Sequence, residues 1–156
     1  MSDCILTCNA GSGSFKAALF EAEGLELRYR LSADYHDDPP FLRITDAQGG
    51  EKGHLSLEEA NSRTSVDAAM GWIEKQQGME LSAVGHRVVH GGEIYREPTL
   101  ITEGVLAQLQ QLSTLAPLHQ PHNIDGIRAF AHSFPAVPQV ACFDTAFHAD
   151  LPDVEL

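Results

Sequence analysis

The chain has 156 residues, of which 22 are acidic and 10 basic, giving a formal net charge of −12. That balance argues against nucleic acid, which needs a basic surface to release counterions, and against anionic membranes. With 43% hydrophobic and 21% charged residues it reads as one globular domain with a real core, not a disordered tail.

No apolar run nears the ~18–20 residues that would span a bilayer, and the first cation is Lys16, so a secretory leader is not expected. The three cysteines, Cys4, Cys8 and Cys142, lie in apolar runs with no C-x-x-C spacing. They read as buried free thiols of a cytoplasmic protein.

In chain order, residues 4–8 form a short buried strand, residues 9–14 a Gly/Ser loop, and residues 15–21 a second strand, together a hairpin. Residues 25–31 alternate as a third antiparallel strand. Residues 33–54 are the least legible, with two edge strands at 41–45 and 54–57 flanking the turn at Gln48, Gly49 and Gly50.

Thr64 or Ser65 caps a first helix whose stripe is Val66, Ala69, Met70 and Ile73, with Gly78 at its end. Residues 83–89 form a buried strand. Thr102 caps a second helix lined by Val105, Leu106, Leu109 and Leu112. Pro121 opens a third with Ile124, Ile127 and Phe130, and residues 138–143 are the last strand. The order βββ, α, β, αα, β implies a mixed α/β sheet covered by helices.

Four segments carry possible chemistry. In Asn9-Ala-Gly-Ser-Gly-Ser-Phe-Lys16 the glycines admit close backbone approach, while Ser12, Ser14 and Lys16 offer donors to phosphate. It fits neither a Walker loop nor G-x-G-x-x-G, and a plain hairpin turn explains it equally well. In Gly85-His-Arg-Val-Val-His-Gly-Gly-Glu93, a buried Arg87 calls for a carboxylate or phosphate partner, with Val89 on the same sheet face. An internal Arg–Asp bridge is the competing account.

His86 and His90 read as structural or loop residues, because four-residue spacing on a strand does not make a helical zinc pair. His119, in Ala116-Pro-Leu-His119, is either a donor to developing negative charge or a solvent-facing loop histidine. Asp144 ends a strand, where it suits magnesium binding, acid–base work or simple helix capping.

Taken together these four blocks resemble the acetate kinase family, in the right order along the chain. The match departs only slightly: Gly13 stands in place of the middle serine of the usual Ser-Ser-Ser run. The resemblance implies a ribonuclease-H-like mixed sheet with flanking helices, one half of the two-domain actin and sugar-kinase fold. Residues 1–156 would be a single N-terminal domain, with the second, nucleotide-binding domain absent.

It further implies reversible phosphoryl transfer between ATP and acetate, giving acetyl phosphate and ADP, with Mg2+ as cofactor and a homodimeric full-length parent. Residue by residue, Asn9 would lie at the magnesium site, and Ser12, Ser14 and Lys16 at the nucleotide phosphates. Arg87 would hold the carboxylate or the phosphoryl group, Val89 and Leu118 would line the acyl pocket, His119 would sit near the transferring group, and Asp144 would be the active-site acid.

A carboxylate substrate is already ionised at neutral pH, so no general base is needed, and Asp144 is expected to position magnesium or Arg87. A truncated half should be inactive alone and expose surface that meets the missing domain and dimer partner. The alternatives are a non-catalytic binding or assembly module of the same fold, or a kinase for propionate, butyrate or a sugar. The one cation and apolar walls at Arg87, Val89 and Leu118 favour a short acid over a sugar, while one methylene (~1–3 kcal/mol) cannot separate acetate from propionate.

Overall fold

Period-two alternation sets the architecture. In the strand Ser2–Ala10 (β1), Cys4, Leu6, Cys8 and Ala10 are buried, while Thr7 is exposed and Asn9 half-buried. One face of the strand therefore goes into the core and the other does not. The computed structural model describes residues 2–89, 91, 95–114 and 120–144.

The hairpin partner is Ser14–Glu21 (β2), followed by Leu27–Asp34 (β3), Phe41–Asp46 (β4) and Glu51–Ser56 (β5), each antiparallel to the one before. The helix Ser62–Glu74 (α1) leads to Met79–Val88 (β6), which pairs parallel with β1. Then come a short strand Thr99–Leu100 (β7), the helices Glu103–Gln111 (α2) and Gln120–Ser133 (α3), and the strand Gln139–Phe143 (β8). The sheet has eight strands in the order β5-β4-β3-β2-β1-β6-β8-β7, with β8 parallel to β6 and antiparallel to β7. The expected mixed sheet is observed.

The helices share one face. Val66, Ala69, Met70 and Ile73 of α1 and Ala129 and Phe130 of α3 join the inward residues of β1–β4 in one core. A second cluster packs Leu106 and Leu109 of α2 and Ile124 and Ile127 of α3 against Val88, Ala141 and Phe143. Glycine at 126 lets α3 lie close on the sheet, for a Cβ there would come 2.8 Å from the Ala10 Cβ.

Several expectations need correction. The cap of α1 is Asn61, whose side chain accepts from the Thr64 N–H at 2.9 Å, not Thr64 or Ser65. Thr64 turns its hydroxyl back to the Glu59 and Asn61 carbonyl oxygens, and the buried Ser65 donates to Asn61, so both are already in the first turn. The chain leaves α1 at Lys75, and Gly78, at φ +80°, makes the turn into β6.

β3 runs two residues later at its start and three later at its end than expected. β6 starts at Met79 rather than residue 83 and ends at Val88, leaving Val89 just beyond the ladder. Two strands do flank the Gln48–Gly50 turn, but only β5 is an edge strand, β4 lying between it and β3, and β5 begins at Glu51 rather than residue 54. Thr102 caps α2 through its hydroxyl, as expected.

Candidate functional site

The face of the sheet away from the helices presents Asn9, Lys16, Arg87 and Asp144. There the C-terminal ends of the parallel strands β1, β6 and β8 meet the β1–β2 hairpin, the place in open α/β sheets where ligands bind. A cleft of about 610 Å³ opens on this face. Asn9 and Lys16, directly paired across the hairpin, line it on one side. Arg87 and Asp144, from the ends of β6 and β8, line it on the other.

Arg87 and Asp144 are bound in fork geometry. The Arg87 Nε donates to both carboxylate oxygens at 3.0 Å, and Nη2 donates to Oδ2 at 2.6 Å. These hydrogen bonds hold the guanidinium pKa above its ordinary value, against a smaller opposing effect of burial. The pair is not interior: the two side chains are 52% and 29% exposed. The expectation of a buried arginine is corrected for this reason. The strand around it is apolar, but position 87 falls on the face that the helices leave open.

Sequence reading missed part of this cleft. Arg30 and Thr7 line it, and so does Cys142, which pairs in register with Arg87. Cys142 is exposed rather than buried, while Cys4 and Cys8 are buried as expected. The cations Lys16, Arg30 and Arg87 against Asp144 make the lining 3 − 1 = +2 on a chain of −12. Arg30 gave no signal in one dimension. It comes to the cleft only because β3 lies beside β2, with Arg30 in register with Ala18.

Other named residues fall elsewhere. Ser12 lines a separate cavity of about 620 Å³ between α1 and α3, together with Asn61, Arg63 and His122. The described residues lining the Arg87 cleft include neither Ser12, Ser14 nor Val89. Leu118, His119 and His90 lie outside the described residues, as do residues 145–148 of the fourth block.

His86 is structural, as expected. It is buried on the helix face, bonded through Nε2 to the Gln139 Oε1 at 2.5 Å, and packed edge-on against Phe130. Burial pushes its pKa down to about 4, against the Gln139 bond that raises it, so the ring is neutral at pH 7.

The donor set can be weighed against magnesium. Among the described residues, no three His, Cys, Asp or Glu side chains group as a complete metal site. The Asn9 carbonyl and Asp144 carboxylate nevertheless supply two hard oxygens in one cleft. Magnesium keeps several waters and takes one or two protein oxygens plus substrate phosphates, so the residues fit such a partial site.

A mixed sheet of eight strands with helices packed on it is the fold of the acetate and propionate kinases, one lobe of the actin and sugar-kinase type. The structure of a propionate kinase from Francisella tularensis superposes with a TM-score of 0.83 at 32% identity, covering 99% of this chain and 40% of that one. An acetate kinase from Porphyromonas gingivalis gives 0.84 at 29% identity, covering 98% and 40%. The chain belongs to the Acetokinase family, whose profile matches residues 4–156. An acetate kinase of Rhodopseudomonas palustris is 43% identical over 160 residues, and the chain spans 40% of its length. One from Nitrobacter hamburgensis is 43% identical over 152 residues, with 38% of its length spanned. Among the described residues no helix is long and apolar enough to cross a membrane.

Proposed function

We propose that this chain is the first domain of an acetate-kinase-type phosphotransferase, contributing the carboxylate and acyl-phosphate side of a reaction between ATP and acetate. The observation that carries the reading is the Arg87–Asp144 fork set opposite Asn9 and Lys16 in a cleft of net charge +2. A bidentate carboxylate fixes the plane of the guanidinium. Among the described residues its bonds use Nε and Nη2, which leaves the Nη1 edge for an acetate or phosphoryl oxygen. Lys16 and Arg30 add charge for a polyanion.

The acetate oxygen attacks as it stands, since it is ionised at neutral pH. Asp144 therefore aims Arg87 and needs to move no proton. Rate in such transfers comes from alignment and charge neutralisation. Asn9 and Asp144 would hold Mg2+, which when bound neutralises charge on the phosphates. His119 is proposed to donate to the transferring group, Leu118 and Val89 to contact the acyl methyl, and Ser12 and Ser14 to contact nucleotide phosphate. A homodimeric parent working in the cytoplasm fits the same reading.

Because the 156 residues span about 40% of the relatives' length, they supply one side of this site. Assayed alone, they bind acetyl phosphate but turn it over with ADP far below the ~10 s⁻¹ typical of enzymes. Calorimetric titration with acetyl phosphate tests the proposal, with saturable binding expected to weaken about tenfold or more in Arg87→Ala. Affinity unchanged by that substitution would overturn it. Propionate is the second reading, favoured by the likeness to the Francisella propionate kinase, and competition between acetate and propionate for the same cleft ranks the two.

A further inference from the structure

The paired register of β1 and β6 runs only as far as Cys8 and His86. Past that point the two strands carry their site residues, Asn9 and Arg87, and then end. Two backbone groups at this divergence, the Ala10 carbonyl and the Val89 N–H, are met by one side chain from outside the sheet. Asn123, in the first turn of α3 and 3% exposed, donates from Nδ2 to the Ala10 oxygen at 2.7 Å and accepts from the Val89 N–H at Oδ1 at 3.1 Å. Its amide presents the donor and acceptor of a peptide group, so it continues the inter-strand bonding where the strands no longer reach each other.

A second feature works with it. Gly126 lies one turn further on the same helix face. Its missing Cβ admits Ala10, with only 2.8 Å available to a Cβ there. A short side chain such as Asn reaches the strand ends only from a helix seated this close.

We propose that Asn123 is a positioning residue: by tying the end of β1 to the end of β6 it fixes Asn9 and the hairpin against Arg87. It touches no ligand and acts through those two residues. The proposal rests on the cleft being the acyl-phosphate site only for its effect on binding; the strand tie itself does not depend on that reading.

The test uses Asn123→Asp, which keeps the shape. An ionised aspartate still accepts from Val89 but cannot donate to Ala10, whereas a protonated one restores both bonds. In the 15N-labelled chain, exchange of the Gly11 amide, which bonds the Ser14 oxygen right after the released Ala10 carbonyl, is expected to rise about tenfold or more beyond that of Leu6 in the middle of β1, a local rather than global opening. The Arg87 Nε–H resonance is expected to shift. Acetyl phosphate affinity falls roughly 10- to 100-fold at pH 7, the scale on which small misplacements act, and recovers as the pH is lowered and the aspartate protonates.

A variant that loses only global stability, with Gly11 exchange tracking Leu6 and the Arg87 resonance unmoved, would overturn the proposal. If the unmodified chain shows no acetyl phosphate binding, the functional reading fails, while the Gly11 exchange and Arg87 signals still decide the role of Asn123. If the aspartate variant does not fold, Gly126→Ala keeps Asn123 but lifts the helix from Ala10. The same two signals are then expected to move in the same direction, and their constancy would be equally fatal.

Discussion

The two faces of this sheet are made by the same strands and obey opposite rules. On the helix side, Leu6, Phe15, Leu19, Leu31 and Ile44 are fully buried, and an imidazole that intrudes there, His86, is bonded to Gln139. On the other side, one residue away along the same strands, stand Asn9, Lys16, Arg30 and Arg87. Period-two geometry lets a single strand supply core and chemistry at once. Substitutions one position apart should therefore fail in different ways.

The largest break in that contrast comes from the covered face. Phe130→Ala removes a ring that fills the core and flanks His86, and should lower stability by ~3–5 kcal/mol in urea unfolding. A loss under about 1 kcal/mol would mean that α3 is not clamped on the sheet as described.

Next in size is the pH response of His86. Its folded pKa of about 4 lies below the ordinary ~6.5, so the unfolded chain takes up a proton that the folded chain refuses. This contribution is fully present above about pH 6.5 and is lost as the pH falls toward 4, up to roughly 3 kcal/mol at ~1.4 kcal/mol per unit. Following the imidazole resonance checks it directly; a midpoint near 6.5 would contradict the burial.

Arg87→Ala sharpens the contrast from the open face. The ion pair is half exposed, so its loss should change stability by no more than ~1 kcal/mol while abolishing most anion binding. Arg30→Ala should weaken acetyl phosphate binding by a smaller factor, and the loss should shrink as salt is raised.

The smallest effect concerns the thiols. Burial pushes Cys8 up to about 12, and Cys142, also raised, stands on the open face. Iodoacetamide should modify Cys142 first and slowly, with Cys8 reacting only on unfolding, and acetyl phosphate should protect Cys142. Mass spectrometry of the alkylated peptides reads the order.

Much of this was legible in one dimension, for local reasons. The β1–β2 hairpin shows as alternation around a Gly/Ser loop, and the α2 cap as Thr102 ahead of Glu103 and an apolar stripe. Asn61 is harder to see as the α1 cap because two other capping residues, Thr64 and Ser65, stand nearer the stripe. The two-residue β7 is too short to carry a pattern. The exposure of Arg87 and Cys142 is not legible because an apolar strand can be covered on one face or on both, and the sequence does not distinguish these cases. Arg30 and Asn123 act across distances in sequence of more than fifty and thirty residues, and only the folded topology brings them to the strand ends.

The direction of β1 has one more consequence. It runs from Ser2 at one margin of the sheet to Ala10 at the other, about 26 Å away at ~3.3 Å per residue. The turns after β2 and β4 lie at the Ser2 margin, because Glu21 pairs with Cys4 and Asp46 with Tyr29. That margin is the workshop end of the molecule: a purification handle, a fluorophore or a surface tether placed at the turn after β2 stands five residue pairs, about 17 Å at ~3.3 Å per residue, from Asn9 and Lys16 and should leave them undisturbed.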